Sequence, residues 1–146
     1  MPGNIKPIIQ DAILLYKEAH KNIIFSFADN DNVPIIKLDK EQMKRVMINL
    51  LDNAVAAIPG KGKISVTLDH DEPLGVLRVE VTDTGTGIPK EDKDRLFEPY
   101  FSTKKSGTGL GLAIVSRIIS DHNGFIRVED NKPKGTKFIL ELPTGE

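Results

Sequence analysis

No cysteine and no tryptophan occur in the 146 residues, and aromatic side chains make up only 5% of them. Without thiols there is no disulfide framework and no thiolate metal site, which fits a reducing compartment. An excess of either charge is also missing: 20 basic and 21 acidic residues leave a formal charge of -1. Such a balance supplies no field for a polyphosphate backbone, so no nucleic-acid partner is expected. No apolar run approaches the roughly 20 residues of a membrane span, and the N-terminus has no signal-peptide core. A cytoplasmic domain without direct membrane contact is the expectation. The usual phosphate motifs fail as well. There is no P-loop, and Gly85-Thr86-Gly87 runs into Ile88-Pro89-Lys90, without the third glycine of the dinucleotide fingerprint. His20, His70 and His122 have no metal-ligand spacing and point to surface or capping roles.

What is present suits one globular domain with a proper core: 39% hydrophobic and 28% charged residues. From Ile8 to Ala19, Ile8, Ile9, Ala12, Leu15 and Ala19 recur at helical spacing. Ile23 to Phe27 and Ile35 to Leu38 are short extended pieces separated by the Asp29–Pro34 turn. Asp39 then reads as an N-cap, with Gln42 completing a capping box. The helix behind it runs to about Ile58, its apolar arc formed by Met43, Val46, Met47, Leu50, Ala54, Ala57 and Ile58. Asn49 and Asn53 lie at the edge of that arc, where two amides need hydrogen-bond partners.

Lys63–Asp69 alternates as a half-buried strand, His70–Pro73 reads as a turn, and Leu74–Asp83 forms a second strand. Asp83 has the parity of Leu77, Val79 and Val81, so its carboxylate points into the apolar side and requires a donor there. Leu112, Val115, Ile118 and Ile119 make a further helix face ending at Asn123-Gly124, and Phe125–Glu129 and Lys137–Leu142 are the last strands. The order implies an α+β fold of two layers: a mixed, mostly antiparallel sheet of about five strands with three helices on one face. Two glycine clusters, Gly85/Gly87 and Gly107/Gly109/Gly111, bracket a poorly periodic segment. A strand runs into the first and a helix out of the second, which suggests a nucleotide pocket with a lid over about 88–107.

Asn49-x3-Asn53, Asp83-x-Gly85-x-Gly87, Leu96-Phe97-Glu98-Pro99-Tyr100-Phe101, Gly107-x-Gly109-x-Gly111 and Gly135-Thr136 follow one another in order. This series resembles the N, G1, F, G2 and G3 boxes of the ATP-binding catalytic domain of sensor histidine kinases, in the superfamily shared with DNA gyrase B, Hsp90 and MutL. The resemblance covers about Asp39 to Leu142 and implies a Bergerat-type two-layer sandwich binding ATP and Mg²⁺. Under it, Asp83 would accept from the adenine amine, Asn53 would ligate Mg²⁺, and Asn49 would assist at the phosphates. Gly85, Gly87 and Ile88 would lie near the base, with Thr136 supporting the adenine end. Gly107, Thr108, Gly109, Leu110, Gly111 and Leu112 would surround the phosphates. Phe97, Phe101 and Thr103 would belong to the lid, with Lys104 or Lys105 reaching the γ-phosphate.

The resemblance also has departures. Many relatives carry a lysine and then an aromatic after the second asparagine of the N box, where this chain has Ala56 and Ala57. Many have an arginine at the end of the F box; here the segment reads Phe101-Ser102-Thr103-Lys104, similar to the short lid of the nitrogen-regulation branch. The superfamily's ATPases and the anti-sigma serine kinases place a glutamate base where Asn49 stands, and an amide cannot take a proton. The implied activity is γ-phosphoryl transfer to a histidine on a separate dimerisation domain of the parent kinase, with a response regulator downstream. No histidine-bearing helical hairpin precedes Ile5, so a single catalytic domain over 1–146, monomeric and inactive in autophosphorylation by itself, is expected. The alternatives are a nucleotide-binding scaffold without transfer activity, or an anti-sigma-type serine kinase.

Overall fold

The structure, a computed structural model, describes residues 2–29, 33–98 and 111–145. In chain order its elements are β1 (Pro2–Gly3), α1 (Ile5–Ala19), β2 (Ile23–Asp29), β3 (Ile36–Lys37), α2 (Lys40–Ala57), β4 (Gly62–Asp71), β5 (Val76–Asp83), α3 (Lys90–Lys93), α4 (Gly111–Asp121), β6 (Phe125–Asp130) and β7 (Thr136–Pro143). Five strands form one sheet in the order β2-β4-β5-β7-β6, and β1 pairs with β3 as a separate two-residue ribbon. Only β2·β4 is parallel, because the chain crosses from one to the other through α2; the other three ladders are antiparallel. The sheet is therefore mixed, as the element order implies.

Strict alternation decides which face is covered. Ile64, Val66 and Leu68 of β4 and Leu77, Val79 and Val81 of β5 are all buried beneath the helices. α2 lies centrally and buries Met43, Val46, Met47, Leu50, Leu51 and Ala54, with α1 and α4 packed on either side of it. The opposite face carries an ion-pair ladder. Arg78 bridges Asp71 (3.1 Å) and Glu141 (2.7 Å), and Arg127 meets Glu141 at 2.6 Å. The Arg78 guanidinium holds the Glu141 carboxyl below the usual carboxylate range.

Several boundaries shift by a residue or two from the sequence reading, and two of the shifts have a clear local cause. α1 starts at Ile5 rather than Ile8, because the Asn4 side chain accepts the Lys6 N–H at 2.9 Å and caps it. Its buried stripe is Ile5, Ile9, Ala12 and Ile13, and Leu15 is exposed. Leu15 falls about 200° around the helix from Ile13, so both cannot face α2 and the sheet. The expected turn at His70–Pro73 moves downstream. Asp71 stays in the ladder opposite Val76, drawn by Arg78, and accepts the Leu74 N–H at 3.2 Å. Gly75, at φ +64°, then closes the turn.

His122 has the capping role its helix-end position suggested. Its Nε2 accepts the Asp39 N–H at 2.9 Å while Nδ1–H donates to the Ile118 carbonyl at 2.8 Å, which ties the end of α4 to the N-cap of α2.

Candidate nucleotide-binding site

Asp83 ends β5 with the inward parity of its strand and is only 3% exposed. Its Oδ1 accepts the Gly85 N–H at 2.9 Å, and the main-chain N–H of Thr136 also donates to the carboxylate. Burial pushes its pKa up, and the two N–H donors oppose that only in part. Among the described residues, burial and main-chain donors are the causes, and no cation contributes. A carboxylate offers about four acceptor positions, so two main-chain donors leave capacity for an uncharged ligand donor.

The surrounding backbone is pressed close. A Cβ at Gly135, whose φ is +112°, would stand 1.9 Å from the Asp83 carbonyl oxygen. A Cβ at Gly85 would stand 2.3 Å from the Ala57 carbonyl oxygen, which accepts the Thr86 N–H at 2.9 Å. Gly85 is thus required by packing against the end of α2, a different reason from the close approach to a base that the sequence suggested. Gly87, at φ +80°, does need glycine's freedom and lies against the Gly135 backbone. Thr136 is 2% exposed and is the ladder partner of Asp83.

A second cluster lies further back along α2. Asn49 and Asn53 are half-buried on the helix side that meets α4. The Asn49 amide donates to the Gly111 carbonyl at 3.4 Å, and the Asn53 amide donates to the Asn49 carbonyl at 3.0 Å. With a rise of about 1.5 Å per residue, Asn53 and Asn49 stand about 6 and 12 Å along the axis from Ala57. One helix therefore carries amides at one end of the site and braces the Asp83 loop at the other. Leu112, next to Gly111 at the start of α4, packs against the core.

Ile88 and Phe97 are half-buried against the core. Phe97 meets Phe138 edge-on, with centroids 6.4 Å apart, and its neighbour Leu96 is buried. The first part of the F box is thus anchored in the core. Phe101, Thr103, Lys104, Lys105, Gly107, Thr108, Gly109 and Leu110 lie outside the described residues.

Three contributors escaped the sequence reading. Asn131 donates from Nδ2 to the Asp83 carbonyl and to the Lys134 carbonyl, each at 3.1 Å. Lys93 donates to the Ile88 carbonyl at 2.9 Å and pairs with Asp130 at 2.8 Å, holding that carboxyl below its ordinary range. The Tyr16 hydroxyl donates to Asp52 and lies 3.2 Å from the Ile48 carbonyl, bracing the asparagine turn from α1. An Asn before a glycine-ending turn signalled only a turn at 131; nothing in the sequence singled out Lys93 or Tyr16.

Residues 38–146 match the family described as histidine kinase-, DNA gyrase B-, and HSP90-like ATPase. The chain is 43% identical over 123 residues to the sensor histidine kinase ZraS of Escherichia coli K12, covering 84% of this chain and 26% of that protein. It is 40% identical over 136 residues to the sensory histidine kinase/phosphatase NtrB of Rhodobacter capsulatus, covering 86% and 38%. It thus spans well under half the length of either relative. Among solved structures, the nucleotide-free catalytic domain of histidine kinase ThkA superimposes with a TM-score of 0.88 at 36% identity, covering 99% of this chain and 97% of that one. ThkA solved in complex with its response regulator TrrA gives 0.83 at 35% identity, covering 99% and 41%. With residues 38–146 matched by that family and the whole fold superimposing on the ThkA catalytic domain, the chain belongs to the histidine kinase-, DNA gyrase B- and HSP90-like ATPases and has the fold of a histidine kinase catalytic domain.

Proposed function

We propose that this domain binds ATP with Mg²⁺ and transfers the γ-phosphoryl group to a histidine on a separate dimerisation domain of its parent kinase, which then serves a response regulator. The observation that carries this reading is the α2 axis, which braces the Asp83 loop at Ala57 and carries amides two turns away beside the start of α4. Asp83 accepts the adenine amine, and Thr136 and Gly87 border it. Asn49 and the α4 N-terminus at Gly111 and Leu112 hold the phosphates. Asn53 offers its amide oxygen to the metal. Among the described residues no group of three His, Cys, Asp or Glu could hold a metal by itself. The donor set therefore fits an ion that arrives with the nucleotide and keeps phosphate and water ligands. When bound, Mg²⁺ would supply neutralisation of phosphate charge there.

Transfer breaks the bond between the γ-phosphorus and the β–γ bridging oxygen, forms one to an imidazole nitrogen, and releases ADP. The chain's share is positioning, since Asn49 cannot act as a base. Lys104 or Lys105 is our candidate for the γ-phosphate, with Gly107–Leu110 completing the phosphate cradle and Phe101 and Thr103 the lid. The isolated domain is monomeric and cytoplasmic in this reading. No helix among the described residues is long and apolar enough to cross a membrane.

The test is transfer of labelled phosphate from ATP to a supplied histidine domain of the parent kinase. Labelled phosphohistidine is the expected product; tight nucleotide binding without transfer would overturn the kinase reading. One feature favours that second outcome, a nucleotide-binding scaffold. Ala56 is exposed where many relatives carry a lysine.

A further inference from the structure

The turn between β6 and β7 does more than reverse the chain. Asn131 follows the last residue of β6, and Thr136 opens β7, so residues 131–135 span the gap beside Asp83. A primary amide has two protons to give. Asn131 donates from the same Nδ2 to the Lys134 carbonyl inside the turn and to the Asp83 carbonyl outside it. Its own main-chain N–H donates to the Gly135 carbonyl at 3.0 Å, which shapes the turn so that Gly135 presses against Asp83.

Asp83 is therefore gripped at two levels. The Gly85 and Thr136 N–H groups orient its carboxylate, and Asn131 fixes the peptide from which that carboxylate projects. Asp83 and Thr136 are the last pair of the β5–β7 ladder, so beyond them Asn131 continues the fastening with a side chain. Without it, the Asp83 carbonyl would lose this donor at the point where the strand becomes a loop.

We propose that Asn131 is a positioning residue for base selection: by holding the Asp83 main chain it aims the carboxylate at the 6-substituent of a purine. The inference rests on the reading of Asp83 as the adenine acceptor. An ionised carboxylate only accepts, so a 6-amino group pairs with it and a 6-oxo group places acceptor against acceptor. Discrimination of this kind depends on placement within about 0.5 Å, which is what a fixed main chain provides.

The experiment compares ADP with inosine diphosphate on the whole chain by calorimetry, for wild type, Asn131→Asp, Asn131→Ala, Asp83→Asn and His122→Ala. The quantity read is the ratio of the two affinities, from which the folded fraction cancels even if a variant is partly unfolded. Wild type should prefer ADP. Asn131→Asp, which replaces the donor by an acceptor, and Asn131→Ala should each lower the ratio by about tenfold. His122→Ala, which loosens the α2–α4 contact away from Asp83, should lower Tm and leave the ratio alone. An unchanged ratio in both Asn131 variants would overturn the proposal and leave Asn131 a purely structural turn residue. If wild type shows no preference and Asp83→Asn does not alter its binding, the base reading of Asp83 itself falls, and this inference with it.

Discussion

The two ends of the candidate site are built in opposite ways. At the Asp83 end, the main chain of two strands, a loop and a helix terminus converges on a carboxylate that is 3% exposed, and two positions exclude any Cβ. At the asparagine end, Asn49 and Asn53 are half-buried on one helix, and the Asn49–Gly111 contact is long, at 3.4 Å. A rigid end suits a ligand part recognised by shape and hydrogen-bond polarity. A looser end suits phosphates and a hydrated ion, whose charge organises side chains around it.

The largest break in this comparison should come from Gly135→Ala. Its Cβ meets the Asp83 carbonyl at 1.9 Å in a backbone conformation that alanine avoids. We expect a loss of about 3 kcal/mol or more in stability by chemical denaturation, accompanied by loss of nucleotide binding.

Asp83→Asn should separate binding from folding at the same end. The folded-state pKa of Asp83 is raised. Its contribution to stability is therefore present below the ordinary carboxylate range and is lost as pH rises through the raised folded value. At neutral pH the buried charge opposes folding, so the neutral amide should leave Tm unchanged or higher. ATP affinity should still fall about tenfold to a hundredfold by calorimetry. Wild-type affinity should also begin to weaken on acidification at a higher pH than an ordinary carboxylate would give. A variant that binds ATP normally would remove Asp83 from the site.

Asn53→Ala addresses the looser end. Removing one metal ligand should weaken Mg²⁺-dependent ATP binding by roughly tenfold, while binding measured in excess chelator stays near wild type. Equal losses with and without the metal would make Asn53 a structural member of α2.

How much of this contrast the sequence revealed follows from the kind of interaction involved. Alternation in β4 and β5 placed the inward face of Asp83 correctly because strand parity is local, and the 3.6 period found the buried arc of α2 for the same reason. The stripe of α1 was misplaced because Ile13 and Leu15 are equally apolar and only the packing partner chooses between them. Gly85 was recognisable as special, but not its reason, since the Ala57 carbonyl comes from 28 residues earlier in the chain. Asn131 and Lys93 stayed hidden because their partners, the Asp83 and Ile88 carbonyls, are main-chain atoms that leave no trace in residue identity.

The smallest predicted effect lies between the two ends, where Lys93 fastens α3 to the end of β6. Its ammonium group makes two bonds of different kinds, one to the Ile88 carbonyl and one to the exposed Asp130 carboxylate. The ion pair is screened by salt, whereas the bond to the carbonyl is partly sheltered and much less so. Lys93→Met removes both, and Asp130→Asn removes only the charge pairing. Nucleotide dissociation, followed by stopped-flow fluorescence, should quicken by roughly two- to threefold in Lys93→Met and by less in Asp130→Asn. The difference between the variants should persist at high salt, while the effect of Asp130→Asn fades. If both variants converge on wild type at high salt, the Ile88 bond contributes nothing to retention. The segment after Gly87 would then be held chiefly by the core contacts of Ile88, Leu96 and Phe97, which would extend the rigid end of the site through the first half of the F box.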